Sequence, residues 1–169
     1  FTTHPDYNAA TLETTTMRLM GRDYYVLDVI NGTTNKTTFL DSANSAMVTE
    51  GVTSTVAGRS VGINYISSTE VRLDVDGQIT NSLAEGATYK LTDGTYVGVK
   101  DILYDSKEAG ISKVEISIGT GKLEVEHGAA VELNDESVEE IIGFLTQDSS
   151  EQLDKIVLMW TTDDEEFVT

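Results

Sequence analysis

Short stretches of the chain alternate between apolar and polar residues, and this pattern predicts β-strands. Val71, Leu73 and Val75 alternate with charged residues. Asp76-Gly77 follows directly, a dipeptide typical of a two-residue turn between antiparallel strands. A period of two places the apolar side chains on one face of the strand. The segment is therefore predicted to be half of a hairpin with one buried and one solvated face.

The same alternation recurs further along the chain. Apolar residues occupy every second position in three later segments: 114–118, 123–125 and 131–133. Two other segments, 24–30 and 156–160, are apolar at nearly every position. Both faces of such a strand need to be covered, so we interpret these two segments as central strands of a sheet.

One segment has a helical period instead. Residues 137–140 read Ser-Val-Glu-Glu, which is a capping-box sequence. Apolar residues then recur at helical spacing: Val138, Ile141, Ile142 and Leu145. These features predict a single short helix over about 137–147, which Gly143 weakens. We expect its apolar stripe to close an open sheet edge or barrel end rather than to bind a partner.

Together the patterns predict a mainly β fold. The expected architecture is an antiparallel β-sandwich or a set of barrel-like sheets, with the one short α-helix. A length of 169 residues is enough for one domain with a real core. One domain over residues 1–169 is the first interpretation, and two small β subdomains, 1–95 and 96–169, are the alternative.

Composition excludes several kinds of partner and cofactor. The chain has 29 acidic and 11 basic residues and a formal charge of -18. Nucleic acids and anionic lipids need clusters of Lys and Arg, so neither is an expected partner. The absence of Cys excludes disulfides, Fe–S clusters and thiol nucleophiles. No apolar run reaches the 18 residues that a transmembrane helix needs, so no transmembrane segment is expected.

The sequence contains no recognisable catalytic motif. His4 and His127 lie outside any Ser-His-Asp or metal-binding pattern, and no phosphate-binding or dinucleotide-binding glycine loop is present. A carboxylate pair for glycoside hydrolysis could still assemble in space. However, the acids mostly alternate with apolar residues, as they do on a soluble β surface. We therefore predict that the chain is not an enzyme.

Calcium is the cofactor that the carboxylates favour most. Four acids are adjacent near the end of the chain: Asp163, Asp164, Glu165 and Glu166. Asp74 and Asp76 add two more at a turn, and hard cations take oxygen ligands from such loops. No complete EF-hand loop is present. The alternative interpretation of the four acids is a solvated strand end that leads into a following domain.

Two glycosylation sequons lie close together. Asn31-Gly32-Thr33 and Asn35-Lys36-Thr37 both fall in the polar segment between Ile30 and Phe39. The composition of this segment is typical of a hairpin loop. Asn31 and Asn35 are therefore candidate sites of N-glycosylation.

Residues 17–29 (MRLMGRDYYVLDV) resemble the opening strand pair of archaeal surface-layer (S-layer) proteins, which carry an apolar-Gly-basic-acidic-Tyr-x-(Val/Ile) stretch at that place. Residues 90–104 (KLTDGTYVGVKDILY) and 117–125 (SIGTGKLEV) are similar to later segments of the same family. The resemblance covers roughly residues 12 to 135. Because position 1 is Phe and no leader pattern follows it, we expect an internal module with neighbouring domains in a longer chain.

The resemblance implies a structural function. Members of this family are secreted, β-rich subunits that tile a lattice at the cell surface; they are often N-glycosylated, and some use divalent cations. We therefore expect an extracellular, non-catalytic protein that self-associates. Two alternatives remain open: an adhesin-like module that binds a glycan or a partner protein, and an accessory domain of a secreted enzyme. Because acidic copies repel one another, lattice assembly is expected to need divalent cations or high salt.

Overall fold

The computed structural model describes residues 5–41, 43–106, 110–148 and 150–161. Within these ranges the chain forms one short helix, α1 (Ala9–Leu12), and fifteen β-strands. The strands are β1 (Thr16–Leu19), β2 (Arg22–Ile30), β3 (Lys36–Asp41), β4 (Asn44–Thr49), β5 (Ser54–Val56), β6 (Arg59–Ile66), β7 (Val71–Val75), β8 (Gln78–Ile79), β9 (Thr88–Lys90), β10 (Tyr96–Leu103), β11 (Lys113–Gly119), β12 (Gly121–Glu126), β13 (Ala130–Leu133), β14 (Glu136–Gln147) and β15 (Leu153–Trp160). With four residues, α1 is far too short to cross a membrane, and no other helix occurs in the described ranges.

The strands form three antiparallel sheets. The first sheet has seven strands in the order β1-β2-β3-β12-β13-β14-β15 and curls into a half barrel. The second has the order β4-β11-β10-β9, and the third has the order β5-β6-β7-β8. This architecture confirms the prediction of a mainly β, antiparallel fold with one short helix.

The predicted position of the helix is wrong. Residues 136–147 form β14, which pairs with β13 and β15 on its two sides. The apolar spacing fits a helix, but Val138, Ile141 and Ile142 are β-branched, and two neighbouring strands supply hydrogen bonds along the segment. Gly143 also has a strand-specific role. A β-carbon at this position would lie 2.7 Å from Val125 Cγ1, so β14 approaches β12 too closely for any side chain.

One of the two predicted central strands is correct. β2 lies between β1 and β3, and most of its residues are buried. β15, in contrast, is the last strand of the first sheet, and several of its apolar residues are exposed. The prediction that residues 156–160 are covered on both faces is therefore wrong for the described chain.

Three apolar cores hold the sheets together. The inner face of the first sheet packs around Phe39 and Val125 and is covered by Tyr7 and Leu12, from the segment that contains α1. Its outer face contacts the second sheet through Leu27, Leu40 and Tyr96, among others. The second and third sheets share the largest core, which has these buried members: Val48, Val56, Val61, Ile66, Val71, Leu73, Val75, Leu83, Leu91, Val97, Val99, Ile102, Val114, Ile116 and Ile118.

Two-residue turns fix the register of the hairpins. Asp76-Gly77 joins β7 to β8, as predicted, with φ values of 52° and 86°. Asn134-Asp135 joins β13 to β14 in the same left-handed conformation, with φ values of 56° and 68°. Consecutive left-handed residues match the twist of the flanking strands. The second turn also places the Asp135 carboxylate at the boundary between the first and second sheets.

Candidate functional site

β15 lies at one edge of the first sheet. Within the described residues, positions 155–161 pair with β14 on one side and with no strand on the other. The unpaired N–H and C=O groups of a strand edge can pair with another chain. Soluble proteins usually prevent this with charged side chains, Pro or a segment that covers the edge. The segment from Ile156 to Thr161 contains no charged residue and no Pro. Among the described residues, no strand covers this edge from 155 to 161.

The ladder between β14 and β15 shows which backbone groups point outward. Thr161 N donates to Glu140 O at 3.0 Å, so these two residues form a hydrogen-bonded pair. Bonded and non-bonded pairs alternate along an antiparallel ladder. Trp160, Leu158 and Ile156 are therefore in non-bonded pairs, and their N–H and C=O groups point away from β14.

Apolar side chains lie on both faces of β15. On the inner face, Ile156 and Leu158 pack against the core of the first sheet. Trp160 shares that face by the period of two, but its side chain is 72% exposed. On the outer face, Val157 is 39% exposed and Met159 48% exposed. The edge thus combines unpaired backbone groups with exposed apolar surface.

A slot separates the two edges of the curled first sheet. It has a volume of about 300 Å³ and is lined by residues 16–19 of β1 and by Ile156 of β15. Met17 and Leu19 also contact the inner core, so the floor of the slot is apolar. Arg18, exposed on β1, contributes a positive charge to its wall.

The start of the β15 edge is already occupied by the chain itself. Leu153 N donates to Pro5 O at 2.8 Å, and Tyr7 N donates to Glu151 O at 3.1 Å. The segment 5–7 therefore runs antiparallel to 151–153. This pairing covers the edge up to residue 153.

A buried ion-pair cluster lies at the boundary of the first and second sheets. Lys122 Nζ is 2.7 Å from Glu124 Oε2 and 2.5 Å from Asp135 Oδ1, and the Lys122 side chain is only 9% exposed. Lys36 Nζ lies 2.8 Å from Glu124 Oε1. Tyr96 OH donates to Asp135 Oδ2 at 2.8 Å. Each charge in the cluster faces at least one opposite charge, which is the condition for burying charges without a large penalty.

The cluster shifts the pKa values of its members toward the charged forms of the ion pairs. Burial by itself raises the pKa of Glu124, but the hydrogen bonds and charges of Lys122 and Lys36 outweigh it and lower the pKa to about 2. Burial opposes the charged form of Lys122 as well, yet its two carboxylate partners raise its pKa above the ordinary value. For Tyr96, burial and the bond to Asp135 both raise the pKa. Glu124, Lys122 and Tyr96 therefore each keep one protonation state near neutral pH, as structural ion pairs do and general acid–base catalysts do not.

A second buried cluster joins the N-terminal segment to the first and second sheets. Glu13 Oε1 accepts a hydrogen bond from Val29 N at 3.0 Å, and Glu13 Oε2 pairs with Lys100. Burial, together with the nearby charge of Glu13, raises the pKa of Asp28. Gly86 makes room for this carboxylate, because a β-carbon there would lie 2.8 Å from Asp28 Cγ and its φ is +77°. Glu13 of the N-terminal segment thus links Val29 of the first sheet to Lys100 of the second sheet.

A polar cleft of about 500 Å³ opens beside the third sheet. It is lined by residues of β6 to β8 and of the turn after β9, including Arg59, Gln78 and Thr92. Arg59 bridges Asp76 and Asp93 across it. Gln78 Oε1 accepts hydrogen bonds from both the N and the Oγ1 of Thr92. The polar groups of the cleft thus largely bind one another.

The two candidate glycosylation sites differ in their surroundings. Asn31 is exposed, but its Nδ2 donates to Tyr7 O at 2.8 Å. Asn35 is half-buried, and its Oδ1 accepts from Gly32 N at 3.4 Å. Thr37, the last residue of the second sequon, is 2% exposed, and its hydroxyl hydrogen-bonds Tyr7 OH. The folded chain therefore engages part of each sequon in its own hydrogen bonds.

The predicted calcium ligands Asp163, Asp164, Glu165 and Glu166 lie outside the described residues, as does His4. The carboxylates of the Asp76-Gly77 turn bind protein groups: Asp74 Oδ1 accepts from Gly77 N, and Asp76 Oδ1 accepts from Ser60 N, both at 2.8 Å. In the described ranges, no three His, Cys, Asp or Glu side chains are grouped to hold a metal ion. His127 packs edge-on against Phe144, and its Nδ1 lies 2.8 Å from Leu145 O.

Comparisons with family models, curated proteins and solved structures find no match to this chain. The resemblance to surface-layer proteins, which rests on strand and turn segments, therefore stays a prediction. The edge of β15 is the feature that sequence reasoning missed. The signal was present in the apolar run 156–160, but the same pattern is typical of a covered central strand.

Proposed function

We propose that the chain is a non-catalytic structural module of an archaeal cell-surface (S-layer) lattice, and that it acts outside the cell by self-association. The observation that carries this proposal is the edge of β15 over residues 156–160, which has no charged side chain and has exposed apolar residues on both faces. In a monomer, an edge of this kind promotes aggregation. In a protein that assembles, a neighbouring molecule covers the unpaired backbone groups and the apolar surface. The segments that resemble surface-layer proteins support the same function.

The charge of the chain sets a condition on assembly. Each copy carries a formal charge of -18, so packed copies repel one another unless counterions intervene. Screening extends over about 10 Å at 0.1 M salt and about 3 Å at 1 M. Molar salt therefore weakens the repulsion, and calcium neutralises carboxylates directly. We propose that the lattice forms only under one of these conditions.

Electron microscopy of the purified chain tests this function. Ordered two-dimensional assemblies are expected in calcium or in molar salt, and dispersed particles after chelation at low salt. Assemblies that persist after chelation at low salt would contradict the proposed role of cations. A chain that stays monomeric under every condition would contradict the lattice function itself.

An extracellular adhesin-like binding module is the second candidate. The cleft of about 500 Å³ between Arg59 and Thr92 favours it, because its volume lies in the range of roughly 300–1,000 Å³ that is typical of small-molecule sites. Binding to a panel of immobilised glycans tests this candidate, with Gln78→Ala as the cleft variant. Glycan binding by a monomeric chain that Gln78→Ala abolishes would support the adhesin over the lattice protein.

A further inference from the structure

We propose that the side chains of Lys100 and Glu13 join covalently in the folded chain. Lys100 Nζ forms an amide bond with Glu13 Cδ, one water molecule is released, and the carboxyl group of Asp28 carries the protons. The reaction takes place once per chain and needs no cofactor or second protein. It goes beyond the proposed lattice function and does not depend on it.

The two reacting groups are already in contact. Glu13 Oε2 touches Lys100 Nζ, although the two residues are 87 positions apart in sequence. The carboxyl carbon is one bond from that oxygen, so the amine lies close to the atom that it attacks. Holding two reactants in such a geometry corresponds to an effective molarity of about 10⁵–10⁸ M. The fold therefore supplies the proximity that a free amine and a free acid lack in water.

Burial favours the uncharged product over the ion pair. The Glu13 side chain is 8% exposed and the Lys100 side chain 17% exposed. Removing an ammonium and a carboxylate from water carries a penalty that their attraction does not always repay. An amide carries no charge, so its formation removes this penalty. The same burial limits the access of water to the amide once it has formed.

A second carboxyl group lies beside the pair. Val29 N donates to Glu13 Oε1 at 3.0 Å, and the same N–H also interacts with the carboxyl group of Asp28. Burial and the charge of Glu13 raise the pKa of Asp28, although Lys100 and Lys36 act in the opposite direction. Asp28 thus holds a proton more readily than an ordinary aspartate does. A group that gives and takes protons during a reaction needs this property.

Irregular strand pairing places both groups at this site. The register of β10 against β11 shifts between Val99 and Asp101, so Lys100 is the extra residue of a β-bulge. The register of β2 against β3 shifts between Val26 and Asp28. Bulges redirect side chains and are common next to active sites. Two irregularities in different sheets therefore lie beside the same three side chains.

The reaction balances in atoms and charge. Lys100 gives one proton to Glu13 Oε2, and the resulting amine attacks Cδ. As the C–N bond forms, the N–H of Val29 stabilises the negative charge on Oε1. Asp28 then gives a proton to Oε2 and takes one from the nitrogen, and the bond from Cδ to Oε2 breaks. Water leaves with Oε2, one proton stays on the amide nitrogen, and nothing is oxidised or reduced.

The other buried lysine cluster lacks these features. Burial opposes the charged form of Lys122, but its two carboxylate partners outweigh this effect and raise its pKa, which keeps the amine protonated and unable to attack. The side chain of Asp135, one of these partners, is 49% exposed. No amide is expected in that cluster. Lys122 therefore provides a control for Lys100.

The mass of the purified, denatured chain tests the proposal. We expect the wild-type mass to be lower than the sequence mass by one water molecule. Trypsin does not cleave after an amidated lysine, so digestion should give one branched peptide that joins residues 1–18 to residues 91–107. Fragmentation should place the link at Glu13 and Lys100. The full sequence mass, with separate peptides 1–18 and 91–100, would overturn the proposal.

Variants test the role of each group. Lys100→Arg keeps the positive charge, but the guanidinium stays protonated and should leave the full sequence mass. Asp28→Asn should slow amide formation by a factor of at least about 100, the usual contribution of a group that transfers protons. This rate is followed as the mass of chains sampled after cell-free synthesis. Amide formation at the wild-type rate in Asp28→Asn would contradict the role of Asp28.

The matched control is Lys122→Arg, which changes a buried, ion-paired lysine and should keep the loss of water. If Lys122→Arg removes the loss of water and Lys100→Arg does not, the assignment is wrong. Circular dichroism checks that each variant is folded, and the peptide map of the wild type decides the question without any variant. All measurements use single chains at low salt. Their result is therefore separate from the electron microscopy that tests the lattice.

Discussion

The hydroxyl of Tyr96 donates a hydrogen bond of 2.8 Å to the carboxylate of Asp135 and so links the second sheet to a turn of the first. Asp135 also binds Lys122, which in turn binds Glu124 on the same strand. The turn, β10 and β12 are thus tied together by one polar cluster. Its members are mutually dependent, because removing one charge leaves its partners buried without compensation.

Lys122→Met should therefore destabilise the chain strongly. The substitution leaves the carboxylates of Glu124 and Asp135 without their shared cation, although Lys36 still compensates part of the charge of Glu124. Removing one partner of a buried pair costs about 3–5 kcal/mol, and the half-exposed Asp135 places the expected loss near 3 kcal/mol. Urea unfolding at neutral pH measures the change. Lys113→Met, at an exposed position of β11, is the matched control and should change stability by less than about 0.5 kcal/mol.

Acid should weaken the fold through Glu124. Its folded-state pKa of about 2 lies below the ordinary value of 4.5, so it contributes stability above the unfolded pKa and loses it as the pH falls toward 2. The difference between these two pKa values corresponds to roughly 3 kcal/mol. Glu124→Gln should be less stable than the wild type at neutral pH and should lose less stability between about pH 5 and pH 2. Parallel stability curves for the two proteins would contradict this prediction.

Gly143→Ala distinguishes a strand from a helix by the sign of its effect. In an exposed helix the substitution would stabilise by about 1 kcal/mol. In β14 the new methyl group would lie 2.7 Å from Val125 Cγ1, and overpacking of this kind costs about 1–3 kcal/mol. We expect destabilisation in thermal unfolding. The control is Gly32→Ala, where nothing lies within 4 Å of the new β-carbon, and it should have little effect on stability. If Gly143→Ala instead stabilises the chain, a helix over this segment would be favoured over β14.

Glycosylation at Asn35 should depend on when the chain folds. The Thr37 hydroxyl of this sequon is buried against Tyr7 OH, so an enzyme that requires it must act before this contact forms. We expect glycan at Asn35 when modification accompanies synthesis, and little when a folded chain is offered to the enzyme. Peptide mass spectrometry measures the occupancy, with Thr37→Ala as the negative control. Equal occupancy under both regimes would refute the prediction.

Local patterns predicted most of the fold because they coincide with the tertiary structure. Alternation around Leu73 identifies a strand with one buried face, and alternation around Ile116 identifies a strand whose Ser117 is buried as well. Asp76-Gly77 identifies its turn by backbone conformation alone. A few consecutive residues determine each of these features, so each can be predicted without knowing which strands pair with it.

The predictions that failed concern features that depend on residues far away in the sequence. Residues 136–147 satisfy helical spacing, and only the presence of β13 and β15 decides for a strand. Lys122 and Asp135 are 13 positions apart in sequence, and Glu13 and Lys100 are 87 apart, so no spacing rule brings either pair together. The edge position of β15 is likewise a property of sheet order. An apolar run indicates that a strand buries both of its faces, but it does not indicate which part of the protein, or which other molecule, covers them.

The pairing of residues 5–7 with 151–153 has a mechanical consequence. Traced from Tyr7 back to Pro5, the N-terminal segment runs in the same direction as β15 does from Leu153 to Trp160. A force that pulls Pro5 away from Leu153 would therefore peel these neighbours apart one hydrogen bond at a time, rather than shear several bonds at once. Two backbone hydrogen bonds join the two segments within the described residues, whereas seven residue pairs join β14 to β15.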